Sequence, residues 1–323
     1  MTAGKIRILF TSAGRRVELT QCFRNAAMSL GVEAEIHACD LQPTLSAACQ
    51  FAESAFAVPK CDDPNYAHVL VNYCEKSGID LVIPMIDTEL APLSAARDRF
   101  AAVGAQIHVA GPELIAIVRD KALTIDALGK AGLPVPRTAP LDIVRNMPAD
   151  WQWPLFAKPS GGSASRGIQV LSGPGDIRPY YDEPMLAQEL LHGDEYTVNI
   201  YSDADGSLVA AVPHLRLSVR AGEVEKGRTV RNPRFREIAE RVVRALPNPR
   251  GVMCFQLIDD VRRGPCVFEV NARFGGGYPL ADHAGARFAE SLIAERLGRP
   301  ACASDDWREG VEMIRYDAAF YRG

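Results

Sequence analysis

The sequence predicts an α/β fold in its first third, an open doubly wound parallel sheet, joined to an α+β second part. Three observations carry this. From Lys5 to Val109 short β-branched runs alternate with stretches whose apolar residues recur at helical spacing, the pattern of crossover units on a parallel sheet. Past Gly111-Pro112 the texture changes, and Leu133-Pro134-Val135-Pro136 reads as an extended link, because its two prolines exclude helix. Beyond the link, apolar runs flank turn signals at Asp205-Gly206 and at Arg262-Arg263-Gly264, the mark of antiparallel hairpins.

In the first part the strand candidates are Ile6 to Thr11, Ala34 to Ala38, Ala55 to Val58, Leu81 to Met85 and Gln106 to Val109. Helices are predicted over Val17 to Leu30, Tyr66 to Lys76 and Glu89 to Val103, each stopped by a glycine (Gly31, Gly78, Gly104). Ligands of such sheets bind beyond the carboxyl ends of the strands. Those ends carry Ser12-Ala13-Gly14-Arg15-Arg16, Asp40 and Asp87-Thr88-Glu89. Arg15 and Arg16 suit an anion at a helix N-terminus, or else pair with neighbouring carboxylates. The loop has no G-x-G-x-x-G, which weakens a dinucleotide reading even though Asp40 stands where a ribose-binding acid would.

In the second part Asp120 to Ala131 reads as a helix ended by Gly132, and Phe235 to Leu246 as another. Strands are predicted over Leu155 to Lys158, Ile168 to Leu171, Met185 to Leu191, Glu195 to Tyr201, Ser207 to Val219, Val252 to Asp259 and Val267 to Asn271. The first two are joined by Pro159-Ser160-Gly161-Gly162-Ser163-Ala164-Ser165-Arg166-Gly167. So many small residues let backbone N–H groups lie against phosphate oxygens while Lys158 and Arg166 neutralise charge, although a plain flexible hairpin has the same composition. The charges Arg216, Arg220, Glu223, Lys226 and Arg228 either decorate a solvated hairpin or line a polar pocket. Glu269 and Asn271 lie two apart and so share one strand face, with Gln256 on the preceding strand. A carboxylate with amide oxygens suits Mg²⁺, and a hydrogen-bonded structural pair fits equally well.

Composition narrows the field. The chain has 323 residues, 36 basic against 40 acidic side chains and a net charge of -4, so no global field draws in a polyanion, and no nucleic-acid partner is expected. Nowhere do eighteen apolar residues run together, and Lys5 and Arg7 interrupt the first apolar stretch, so no membrane partner and a cytoplasmic location are expected. The 8 cysteines form no C-x-x-C pair and sit mostly in apolar segments, as buried reduced thiols do.

Taken together, Asp120-Lys121, Phe156-Ala157-Lys158-Pro159 before the Gly/Ser loop, Glu189 to Glu195, and Phe268 to Arg273 with Gln256 upstream resemble the ATP-grasp superfamily, on the branch of the carbamoyl-phosphate synthase large subunit and pyrrolysine-type ligases. The resemblance spans nearly the whole chain. It implies a Rossmann-like pre-ATP-grasp domain over residues 1–111 and an ATP-grasp domain over residues 112–323, with a lid at about residues 135–187. By the same resemblance, Lys121 and Lys158 touch ATP phosphates, and the loop with Ser160, Gly161, Gly162, Ser163, Ser165 and Arg166 closes over them. Gln188, Glu189, Leu190 and Leu191 read adenine, Glu195 the ribose, and Gln256, Glu269 and Asn271 ligate Mg²⁺, for which Mn²⁺ is an acceptable substitute. Arg273 reaches the γ-phosphate and counts, with Lys158 and Arg166, among the catalytic groups. Gln256 and Gln188 stand where many relatives carry acids, and Ala164 replaces a common loop glycine.

The implied reaction is an ATP-dependent carboxylate–amine or carboxylate–thiol ligation through an acyl phosphate, releasing ADP and phosphate. Its partners would be a small-molecule carboxylate and an amine, amino acids among them, with Asp87 or Glu89 holding an ammonium group; a homodimer stays open. The rival readings are a non-catalytic ATP-binding regulator, phosphorylation of carboxy-phosphate or carbamate as in the synthase, and a NAD-dependent oxidoreductase.

Overall fold

The computed structural model describes residues 4–161 and 167–322. Gly162, Ser163, Ala164, Ser165 and Arg166 of the predicted phosphate loop lie outside the described residues.

The first part runs β1 (Gly4–Thr11), α1 (Val17–Ser29), β2 (Val32–Asp40), α2 (Ala47–Gln50), β3 (Ser54–Ala57), α3 (Tyr66–Ser77), β4 (Leu81–Pro84), α4 (Leu90–Ala95), α5 (Arg97–Ala102) and β5 (Gln106–Ile107). Its strands form one parallel sheet in the order β3-β2-β1-β4-β5. Alternation along β1 divides the core. Ile6, Ile8 and Phe10 pack with Leu19 and Phe23 of α1 on one face, while Leu9 meets Tyr66, Leu70 and Phe100 on the other. The helix predicted over Glu89 to Val103 is broken. The Ala96 N–H bonds the Leu93 carbonyl, an i→i−3 contact that tightens the chain and separates α4 from α5.

The second part runs α6 (Pro112–Arg119), α7 (Lys121–Lys130), β6 (Thr138–Pro140), α8 (Leu141–Asn146), β7 (Leu155–Pro159), β8 (Gln169–Leu171), β9 (Met185–Glu189), β10 (Gly193–Ser202), β11 (Leu208–Arg220) and β12 (Glu223–Thr229). It continues through α9 (Pro233–Ala245), β13 (Gly251–Asp260), β14 (Gly264–Asn271), α10 (Tyr278–Ala284), α11 (Phe288–Arg296) and β15 (Glu312–Ile314). Two antiparallel sheets result, a four-stranded one ordered β6-β9-β7-β8 and a six-stranded one ordered β14-β13-β10-β11-β12-β15. Phe235, Ile238, Ala239, Val242 and Val243 fall at helical spacing on α9 and bury against Val198, Ile200, Phe255 and Leu257 of the larger sheet. Helices α10 and α11, absent from the sequence expectations, bring Tyr278, Phe288 and Leu292 into the same apolar cluster as Phe10 and Phe23. One continuous core therefore ties the parallel sheet to the large antiparallel one.

All eight cysteines are free, six of them buried, as the sequence leads one to expect. No helix among the described residues is long and apolar enough to cross a membrane.

Candidate active site

The carboxyl ends of β1 and β4, the four-stranded sheet and the six-stranded sheet face a common cavity of about 480 Å³. Each wall is positioned by local chemistry. Asp120 caps α7, its carboxylate accepting from the Ala122 and Leu123 N–H groups at 2.8 and 3.1 Å, which fixes Lys121 at the first helical position. On β7 the pleat turns Lys158 inward, and its Nζ donates to Gln188 Oε1 on β9 at 3.1 Å. Gln188 passes the constraint on, donating from Nε2 to Thr138 Oγ1 at 2.8 Å. Lys158 also lies 5.5 Å from the Phe268 ring centre.

The register of β13 and β14 sets Gln256 opposite Glu269 and Cys254 opposite Asn271. The three oxygen-bearing groups expected from the sequence, Gln256, Glu269 and Asn271, are thereby brought together on neighbouring strands. Asn271 Nδ2 donates to Glu269 Oε1 at 3.2 Å and its Oδ1 accepts from Arg273 Nη2 at 3.5 Å, while Gln256, Glu269 and Asn271 all line the cavity. Among the described residues no three His, Cys, Asp or Glu side chains converge on a metal position. One carboxylate and two amide oxygens match a hard ion that takes its remaining ligands from phosphate and water. Burial pushes the thiol of the neighbouring Cys254 up to about 11.

Burial shapes the cations as well. It pulls Lys158 down to about 8, with the charge of Glu269 working against the shift, and it lowers Lys121 in the same way. Arg273 is gripped by Asp87 in a bidentate pair, Nε to Oδ1 at 2.9 Å and Nη2 to Oδ2 at 2.5 Å. Burial opposes both charges, yet the pairing wins: the Asp87 carboxyl falls below its ordinary range and Arg273 rises above its own. Glu195 is raised by burial against the pull of Arg216, whose Nη1 lies 3.3 Å from its Oε1.

Of the expected residues, Lys121, Lys158, Gln188, Glu189, Leu190, Leu191, Glu195, Gln256, Glu269, Asn271 and Arg273 all line this one cavity. Ser160 and Gly161 are not among its lining residues; the Ser160 carbonyl accepts from the Lys121 N–H at 3.3 Å. The Glu189 carboxylate turns to Arg263. The site idea for the first part needs correction. Asp87 and Glu89 do not await an ammonium group: Asp87 is committed to Arg273. Glu89 is fully buried and accepts from Ser12, Tyr66 and the N–H groups of Met85 and Ile86. Asp40 accepts the Gly14 N–H at 2.8 Å and so shapes the loop before α1. The charged hairpin divides, Arg216 facing inward while Arg220 and Arg228 stay half exposed. Sequence reasoning missed Arg315 altogether and treated Glu223 as one charge among several; nothing in spacing links them, since the pairing of β15 with β12 joins segments far apart in the chain.

Comparison with known proteins follows from this geometry. Two family models match, a PylC-like N-terminal domain over residues 8–108 and an ATP-grasp domain over residues 118–277. The chain belongs to the ATP-grasp superfamily and is a ligase of that class. The PylC-like N-terminal domain narrows its place within the superfamily. No curated protein matches the sequence. Biotin carboxylase from Campylobacter jejuni, in its beta-gamma-ATP complex, superposes with a TM-score of 0.75 at 13% identity, covering 95% of this chain and 74% of that one. N5-carboxyaminoimidazole ribonucleotide synthetase from Thermotoga maritima gives 0.67 at 17% identity, over 93% and 78% of the two chains. L-amino acid ligase from Bacillus licheniformis gives 0.66 at 17%, over 92% and 75%. Identities this low speak for the fold alone.

Proposed function

We propose that the protein binds MgATP in the 480 Å³ cavity, phosphorylates a small-molecule carboxylate, and joins the acyl phosphate to an amine with release of ADP and phosphate. The observation that carries this reading is the convergence of Lys121, Lys158, Gln256, Glu269, Asn271 and Arg273, drawn from α7, the four-stranded sheet, the six-stranded sheet and the turn after β14, around that one space.

In this reading Lys121 and Lys158 neutralise the triphosphate, and Gln188 with the backbone of Glu189 to Leu191 receives the base. Glu195, steadied by Arg216, receives the ribose. Gln256, Glu269 and Asn271 would hold the Mg²⁺, which when bound supplies charge neutralisation at the phosphates. Arg273 faces the transferring group, with Asp87 fixing its plane. Phosphoryl transfer asks mainly for positioning and for charge placed where it accumulates, and no side-chain nucleophile is required. The reading keeps units at residues 1–111 and 112–323 with a lid near 135–187, in which β7 presents Lys158 from the smaller sheet and β13 and β14 would present the metal ligands from the larger. An amino acid is a suitable acid or amine, and the neighbours named above include an L-amino acid ligase.

The test is coupled ADP detection with MgATP across pools of amino acids and other carboxylates, followed by mass analysis of any new product. Turnover that needs both Mg²⁺ and an added carboxylate is expected. Carboxylate-independent ATP hydrolysis, or none with any acid, would speak for a different activity.

A further inference from the structure

A second cavity of about 800 Å³ adjoins the first, and Arg16, Glu223 and Gly276 line both. We propose that it seats the carboxylate substrate, and that this acid carries an apolar, aromatic-sized body. The inference rests on the ligase reading and adds to it the class of acid and the residues that select it.

The end next to the shared wall is cationic. Glu223 is met by Arg16 Nη2 at 2.8 Å, Arg315 Nη1 at 3.3 Å and Arg15 Nη2 at 3.4 Å. Burial works against the Glu223 charge, but Arg16, Arg15 and Arg315 hold its carboxyl below the ordinary range, so three guanidinium groups share one carboxylate. Arg16 is the most enclosed, its side chain only 15% exposed, and a buried guanidinium with a shared counter-ion gains from a further anion. A carboxylate supplies that anion in the flat, two-oxygen geometry a guanidinium accepts best. Elsewhere around the cavity acids outnumber cations, so the positive charge is confined to the shared wall. Arg220 pairs with Glu225 and Asp317, and Glu312 with Arg228, while Glu18 and His283 complete the set.

The lining also has an apolar part. Phe51 and Phe320 meet edge to face at 5.7 Å, yet remain 51% and 48% exposed, and Leu280 and Met313 line the same cavity. A body laid against them removes apolar surface from water, which favours binding. The tail beyond β15 lines the same cavity from Arg315 to Phe320. Its Arg315 N–H donates to the Glu225 carbonyl at 3.0 Å, and its guanidinium donates to the Gly276 carbonyl. The tail is thereby fastened at the point where acid head and nucleotide cavity meet. Arg315 selects the carboxylate and Phe320 the body.

The step balances as follows. A carboxylate oxygen forms a bond to the γ-phosphorus as the bond to the bridging oxygen breaks and ADP leaves with that electron pair. A nitrogen nucleophile then attacks the acyl carbon, phosphate departs with the C–O pair, and the nitrogen gives a proton to solvent.

The experiment uses 3-phenylpropionate against acetate and glutarate, with MgATP and hydroxylamine to capture the acyl phosphate as a hydroxamate, reading ADP release. The expected kcat/KM for phenylpropionate is at least tenfold above either competitor. Arg315→Gln is expected to raise the phenylpropionate KM at least tenfold while the calorimetric Kd for MgATP changes less than twofold. Phe320→Ala should raise KM for phenylpropionate and leave that for acetate unmoved. Equal use of acetate, or an Arg315→Gln variant with unaltered KM, overturns the inference while MgATP binding keeps the ligase reading intact. Failure of the wild-type protein to bind MgATP removes the ligase reading itself.

Discussion

Lys158 offers the sharpest handle on the site, because its charge is poised near neutrality. Burial brings it to about 8 from an ordinary 10.5, and a bound triphosphate, adding negative charge beside the ammonium, must restore the higher value. Nucleotide binding is then linked to protonation. With a free-protein value near 8, MgATP affinity should fall about tenfold between pH 7 and pH 9, and binding at pH 8.5 should take up about 0.7 proton. Lys121, lowered by the same cause, adds to the effect in the same direction. The sign for stability is opposite to that for binding. The unfolded chain holds more protons than the folded one between about 8 and 10.5, so the nucleotide-free fold gains stability as pH rises through that window, up to about 3 kcal/mol from this group. The assay is calorimetric titration of MgATP in two buffers of different ionisation enthalpy at each pH, with Lys158→Arg as the variant whose charge persists. Wild-type affinity that changes less than twofold from pH 7 to pH 9, without proton uptake, would refute this reasoning.

Three further outcomes are expected. Lys158→Ala and Glu269→Ala should each abolish ADP formation while circular dichroism stays that of the wild type; near-normal turnover in either would contradict the assignment. Asp87→Asn should strand a buried guanidinium, moving the urea transition down by about 3 kcal/mol and cutting kcat at least tenfold; an unmoved transition would mean the pair is not formed in solution. Gly277→Ala would drive a methyl group within 2.5 Å of His214 Nε2 and 2.8 Å of Val224 Cγ1, so reduced soluble yield or a lower melting temperature is expected, and a wild-type melt would show that the loop yields freely.

The parallel sheet was legible because the first, third and fourth β-branched runs are each followed by a helix-period stretch and a glycine stop, and β1 to β5 fall within the predicted spans or a few residues of them. The oxygen patch was legible for the same local reason: Glu269 and Asn271 share a strand face by alternation, and the short turn at Arg262 to Gly264 folds Gln256 back opposite Glu269. What escaped was non-local. The Asp87–Arg273 pair joins residues distant in sequence, and an acid after a strand end looks the same whether it awaits a ligand or an arginine. Helix α11 carries buried residues all round, from Phe288 to Ala294, so no polar stripe betrays its period. β15 has only three residues, too few for alternation to show, yet its pairing with β12 brings Arg315 to Glu223 and so builds one wall of the second cavity.

The central claim is that one magnesium-bound triphosphate sits among Lys121, Lys158, Glu269 and Arg273. A crystal structure of the protein with Mn²⁺ and a non-hydrolysable ATP analogue, read from the manganese anomalous signal, addresses it most directly. The account predicts a peak at coordination distance, about 2.2 Å, from a Glu269 oxygen, with phosphate oxygens completing the shell and Lys158 on the triphosphate. A nucleotide bound elsewhere, or manganese away from Glu269 and Asn271, would contradict it.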